Sequence, residues 1–327
     1  MKLATFEHCG TAKIGIVHSA EMFVFDLSAA ASHMGIDRPE FRSMLALIEG
    51  GPEALFLASE VFSRGQNKGA FSIDLKEVRL LAPVPVPRQM RDGMLFPEHI
   101  RQSAEGMQRV LARIRGVEPS KPPAPIDKIP RVFVERPIYF FTNRFAVGAP
   151  DTTVYWPTYS TIMDYEIELG LFIGKTGTDI PVNEARQHVF GYTIFNDFSA
   201  RDQQFKETSA RQGPSKGKSF NGSNVIGPWI VTADEIPDPY NLTMIVRVNG
   251  ETRAKGTSSG MLHSFEDFIA YVSRDETIYA GEFLASGTMG GGSGLEQDRF
   301  LEDGDTVELE VEKIGVLRNL VRRRSPA

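Results

Sequence analysis

A single cysteine, Cys9, leaves this 327-residue chain without an internal disulfide or a multi-cysteine zinc site, and it fits a reducing compartment. Histidine is scarce as well, and His8, His18 and His33 stand outside any recognisable ligand or triad spacing. No run reaches the ~18 apolar residues of a membrane span. Met1-Lys2-Leu3-Ala4-Thr5-Phe6-Glu7 lacks a long apolar core before its first charges, so a soluble, cytoplasmic protein is expected. Positive charge is not in excess. Lys+Arg 36 against Asp+Glu 42 gives a net charge of −6, which points away from nucleic acid and membrane partners and leaves a small molecule. The one basic cluster, Arg322-Arg323-Arg324, reads as a solvated tail.

What is present is an acidic strand. In Asp164-Tyr165-Glu166-Ile167-Glu168-Leu169-Gly170-Leu171 the side chains alternate, so Asp164, Glu166 and Glu168 share one face while Tyr165, Ile167, Leu169 and Leu171 offer apolar surface. One reading is an antiparallel strand with a solvated face. The other follows from repulsion: three like charges along one face need water or a cation between them. A second strand-like run, Val189 to Phe195, ends in Asn196-Asp197 and brings a further carboxylate. Carboxylate-rich, sulfur-free sites select Mg²⁺, Mn²⁺ or Ca²⁺.

Along the chain, residues 1–85 read as a small α+β domain with strands Lys13–Val17 and Met22–Phe25. Two helices follow: one carries Phe41, Met44, Leu45 and Ile48 and stops at Gly50-Gly51, the other runs from Glu53 to Ser63. A strand from Val78 runs into proline-stiffened Pro83–Pro87, which sets the boundary to a second domain, residues 86–327. That domain begins with Asp92 and then a helix with Ile100, Met107, Val110, Leu111 and Ile114 on one stripe and His99 at its start. Lys121-Pro122-Pro123-Ala124-Pro125 reads as a rigid loop, and Ser199 as the cap of a helix over Ala200–Glu207 that puts Arg201 and Gln204 on one face. Gly213–Phe220 contains Gly-Lys-Ser without the Walker spacing. Ser286–Gly294, rich in glycine but without dinucleotide spacing, reads as a pocket loop. A strand from Leu242 to Val248, a turn at Asn249-Gly250 and a helix after Ser264 complete the pattern before the alternating strand Thr306–Val311.

Three ordered motifs carry a resemblance: Asp164 to Gly170, then Gly191 to Gln204, then Gly217-Lys218-Ser219-Phe220 with Gly227-Pro228-Trp229. With Ala285-Ser286-Gly287-Thr288 and the ending Gly304 to Asn319, the chain from about Asp92 onward resembles the fumarylacetoacetate hydrolase family. The resemblance implies an α+β, mainly β fold, a mixed β-sandwich roll, usually dimeric. It implies a divalent cation held by Glu166, Glu168, Asp197 and Asp92. His99, seven residues after Asp92, matches the family's catalytic histidine, and Glu296 the glutamate that orients it. Met94 stands where the fumarylacetoacetate enzymes have tyrosine, so that edge of the pocket is expected to be less polar. An Asn-Tyr found in members acting on small oxaloacetate-like substrates is absent.

The expected activity is hydrolytic C–C cleavage of a β-dicarbonyl such as an acylpyruvate, with a Mg²⁺-like ion stabilising the enolate. His99 would be general base, Lys218, Arg201 and Gln204 would stabilise developing charge, and Thr288 would hold the substrate carboxylate. Two alternatives stand beside it: tautomerisation, isomerisation or decarboxylation of a 2-oxo acid, and a catalytically silent small-molecule binder.

Overall fold

The computed structural model describes residues 1–18, 20, 22–66, 69–117 and 129–324. The architecture is α+β and mainly β. Ten strands of the larger mixed sheet follow the order Ser72–Asp74, Phe23–Asp26, Thr11–His18, Lys2–His8, Asn224–Thr232, Val189–Asp197, Glu166–Ile173, Phe283–Ser293, Met90–Gly93 and Tyr139–Phe141. The N-terminal strands therefore extend the same sheet, with Lys2 opposite Val231 and Leu3 opposite Ile230. A five-stranded sheet, in the order Glu251–Thr257, Thr243–Val248, Thr306–Val311, Gly315–Arg323 and Thr153–Trp156, packs across its middle.

The central strands are covered on both faces. Ile167, Leu169, Leu171, Tyr192 and Ile194 pack against Val246, Leu309 and Leu317 of the smaller sheet. From the opposite face, Phe172, Phe195, Ile230 and Phe283 meet Leu47, Ile48, Ala58 and Val61 of the N-terminal helices. Every residue of Glu166–Ile173 is consequently buried. The solvated-face reading of the acidic strand does not hold: Asp164, Glu166 and Glu168 are at most 4% exposed, and Glu166 and Glu168 line an internal pocket together with His99 of the helix Pro97–Arg115.

Several local expectations hold for the reasons given. Asn249 and Gly250 both take positive φ, as a two-residue hairpin of right-handed twist requires. Ser264 and Asp267 form a reciprocal capping box on Phe265–Val272. Others change. Phe41 lies in a 3₁₀ turn, Pro39–Arg42, before the helix Met44–Glu49, and the next helix is longer than expected, Gly51–Gly65. Ile114 is exposed, since the helix Pro97–Arg115 outruns the surface it packs on. Ser199 does not cap a helix: it pairs with Asp164 in a two-residue strand, its hydroxyl donates to the Asp197 carbonyl at 3.0 Å, and the helix Arg201–Ser209 starts from Ala200. Ser286–Gly294, read as a loop, belongs largely to the strand Phe283–Ser293, whose positive-φ Gly287 and Gly291 kink it without ending it. Arg322 and Arg323 are the end of a strand, with the Arg323 guanidinium 4.1 Å from the Trp156 ring centre. Lys121–Pro125 lies outside the described residues.

Candidate active site

Three strands of the larger sheet bring their acids to one place. Asp197 ends Val189–Asp197, Glu168 sits on the next strand, and Asp92 comes from Met90–Gly93, which runs parallel to Phe283–Ser293. Irregular register on either side of Glu168 turns the strand there. One carboxylate oxygen each from Asp92, Glu168 and Asp197 lies within 4.8 Å of the others. All three residues are at most 2% exposed. Asp92 Oδ1, Glu168 Oε1 and Asp197 Oδ1 have no hydrogen-bond partner among the described residues. Burial and mutual repulsion hold the Glu168 and Asp197 carboxyls well above their ordinary range, and burial pushes Asp92 up to about 6. Three converging buried carboxylates, each with an oxygen left unpartnered, suit a hard divalent cation.

Gly287 helps set this geometry. Its backbone N–H donates to Glu168 Oε2 at 2.8 Å, leaving Oε1 for the cluster. At φ +74°, with a Cβ there falling 2.5 Å from the Gly93 carbonyl oxygen, only glycine brings the backbone this close.

Glu166 is differently placed. Its oxygens accept from Arg201 Nη2 at 2.8 Å and from Lys218 Nζ, which also donates to Asp197. Burial alone would raise its carboxyl, but the charges of Arg201, Lys218 and His99 hold it well below the usual carboxylate range. An ionised carboxylate offers about four lone-pair sites, so Glu166 retains acceptor capacity beside its two cationic partners. Lys218 remains an ammonium: burial disfavours its charge, and Asp197 and Glu166 more than offset that. Asp164 stands apart from the cluster. It accepts from Arg201 Nε at 2.7 Å and from the backbone N–H groups of Gly294 and Leu295 at 2.8 Å each, fixing the start of the short helix Gly294–Gln297.

That helix carries Glu296. One of its oxygens accepts from the Ser293 backbone and hydroxyl at 3.0 and 3.2 Å, closing a capping box, while the other lies 3.0 Å from His99 Nδ1. His99, in the first turn of Pro97–Arg115 and 5% exposed, then presents Nε2 inward, 3.9 Å from Glu166 Oε1. Burial lowers the imidazole pKa, but the charge and hydrogen bond of Glu296 outweigh it, so the net shift is upward. The Ser293-Gly294-Leu295-Glu296 capping box was a legible signal for this short helix that the glycine-loop reading passed over.

These groups open onto a cavity of about 300 Å³. Met94 lines it, as do Arg201 and Gln204, which are joined by a 2.9 Å bond from Arg201 Nη1 to Gln204 Oε1. Thr288 lines it too, although its hydroxyl proton is committed to the Ile167 carbonyl at 2.8 Å, which leaves the oxygen as an acceptor. Sequence reasoning missed Ser103 and Thr208, which sit four residues on from His99 and Gln204 and so fall on the same helix faces.

The carboxyl shifts set a sign for stability. Unfolded carboxyls titrate near pH 4, so from there upward the folded chain holds more protons than the unfolded one, at Asp92 until about pH 6 and also at Glu168 and Asp197, which burial and repulsion raise well above their ordinary range. Stability therefore falls as pH rises through that window. His99, raised, acts in the same direction; Glu166, lowered, contributes only a loss at more acid pH. In chelator the melting temperature is expected to fall between about pH 5 and about pH 7, and excess Mn²⁺ is expected to offset this by binding the deprotonated oxygens. A steady rise in chelator across that range would contradict the account.

Fold and pocket together define an α+β enzyme built around an acidic triad suited to a divalent cation. The chain belongs to the fumarylacetoacetate hydrolase family, whose fumarylacetoacetate (FAA) hydrolase C-terminal domain matches residues 97–322. It is 31% identical to the oxaloacetate tautomerase YisK of Bacillus subtilis over 98% of this chain and 100% of that protein. It is 37% identical to the human mitochondrial oxaloacetate tautomerase FAHD2A over 75% of this chain and 70% of that protein. The solved fumarylacetoacetate hydrolase of Exiguobacterium antarcticum, 28% identical, superposes with a TM-score of 0.72 over 99% of this chain and 100% of that one.

Proposed function

We propose that this protein is a divalent-cation-dependent keto–enol tautomerase of a small 2-oxo acid of the oxaloacetate type. The observation that carries the reading is His99: a buried imidazole, oriented by Glu296, opening beside the acidic triad into a small cavity. The names of the bacterial and human relatives support the same reaction over hydrolysis.

Asp92, Glu168 and Asp197 would hold the cation, with Glu166 supplying its remaining acceptor capacity. When bound, the ion acts as a Lewis acid toward the 2-oxo and carboxylate oxygens. In the keto-to-enol direction, His99 Nε2 takes a proton from the carbon beside the carbonyl, and Glu296 offsets the imidazolium charge that results. The Lys218 ammonium and the Arg201-held Gln204 amide donate to the oxygen on which negative charge develops. A solvent proton then completes the enol, and the imidazolium proton returns to solvent. Lys218, held as a cation, acts as a charge and not as a base.

Acylpyruvate hydrolysis is the second reading. The same His99–Glu296 pair favours it, since it is equally placed to activate a water.

The test follows the near-ultraviolet enol absorbance of oxaloacetate and of several acylpyruvates with Mg²⁺ or Mn²⁺ and with chelator, identifying products by NMR. The expected result is cation-dependent interconversion of the oxaloacetate tautomers with acylpyruvates left intact. Pyruvate and a carboxylic acid formed only with cation would establish hydrolysis instead. No turnover of either would leave the silent binder.

A further inference from the structure

The proton carrier and its orienting glutamate come from two different helices, and something must hold those helices in register. His99 sits near the start of Pro97–Arg115, while Glu296 belongs to the four-residue helix Gly294–Gln297. A helix that short has little internal ladder to stabilise it, the Asp298 N–H returning to the Gly294 carbonyl. Asp164 and the Ser293 box tie down its start. Its other end is held from the histidine's own helix. Arg109 Nη2 donates to the carbonyls of Leu295 and Glu296 at 3.1 and 3.0 Å, while Nη1 pairs with Glu105 and Nε lies 3.8 Å from Asp298 Oδ1. Arg113 Nη2 donates to the same aspartate at 2.8 Å. Between the two contacts the helices touch directly: a Cβ on Gly106 would fall 2.5 Å from the Leu295 carbonyl oxygen, and Val110 packs on Leu295.

We infer that Arg109 is a positioning residue for the proton carrier: by bonding the Leu295 and Glu296 carbonyls it fixes the Glu296 carboxylate against His99 from the far end of the same helix. The inference rests on the reading that His99 carries the proton. Arg109 does not line the cavity and acts only through Glu296. Arginine is required because one planar guanidinium reaches two carbonyls and two carboxylates together, whereas lysine offers a single ammonium.

The experiment uses the full-length, Mg²⁺-loaded protein and the variants Arg109→Met, Arg109→Lys and Glu296→Gln. Arg109→Met is expected to lower kcat about tenfold to a hundredfold, as misplacement of a reacting group does, with KM and cation affinity unchanged. Arg109→Lys should recover part of the loss. In the Glu296→Gln background, Arg109→Met should add nothing, because the effect passes through Glu296. An NMR readout is independent of the reaction: the His99 Nδ1–H resonance, assigned by its loss in His99→Gln, should shift or vanish in Arg109→Met. Should Arg109→Met fail to fold, Arg109→Lys supports the same comparison. An unchanged resonance in a folded variant, or losses that multiply in the double variant, would overturn the inference. A changed resonance with no tautomerase turnover would leave it standing while the reaction proposed above fails.

Discussion

Replacing Arg201 with methionine is expected to lower the unfolding free energy by about 3–5 kcal/mol, the range for removing one member of a buried charge pair. Arg201 is 1% exposed and donates to Asp164 at 2.7 Å and to Glu166 at 2.8 Å. Glu166 would keep Lys218, but Asp164 would keep only backbone donors for a carboxylate already raised by burial. The cost comes from leaving charge stranded in a dry interior, so a hydrophobic side chain of similar length does not recover it. Urea unfolding at one pH, in chelator and in excess cation, measures the change. A loss below about 1 kcal/mol, the scale of an exposed pair, would mean that the acids relax or protonate at little cost.

His99→Gln is expected to lower kcat by about 10²- to 10⁴-fold, the contribution of a positioned acid–base group, while cation affinity stays near that of the parent. Dependence on pH gives the sign. In the enolising direction the neutral ring is the active form, so kcat/KM rises with pH through a value above the ordinary ~6.5 of histidine. Removing the charge that raises the ring, by Glu296→Gln, should move that limb to lower pH. Initial rates across pH, with calorimetric cation titrations, provide both readouts. An unchanged rate in His99→Gln would assign the proton transfer to another group.

The acidic strand was legible because alternation is a local property. Asp92 and His99 were candidates through the family resemblance, whose seven-residue separation they reproduce, and the capping box at Ser264 was legible through its own four residues. The strand character of Ser286–Gly294 was not, since glycine has weak β preference of its own and the stretch is held by pairing of Thr288 and Ser293 with Glu168 and Glu166 on the neighbouring strand. Nor was the division among the acids. Glu166 and Glu168 have the same chemistry and lie two residues apart, yet one is neutralised by Arg201 and Lys218 while the other faces Asp92 and Asp197.

By itself the sequence determined the strand-rich class, the family and a set of candidate acidic, basic and histidine side chains, because these depend on period, order and residue type along the chain. Tertiary structure alone decided which acids keep unpartnered oxygens and that Arg109 ties the helices of His99 and Glu296 together. Those outcomes depend on burial and on distances of a few ångströms between distant segments. At that range Arg201, Lys218 and His99 together hold the Glu166 carboxyl low, while Asp197, bonded to Lys218 alone among these cations, stays raised, and spacing along the chain carries no record of it.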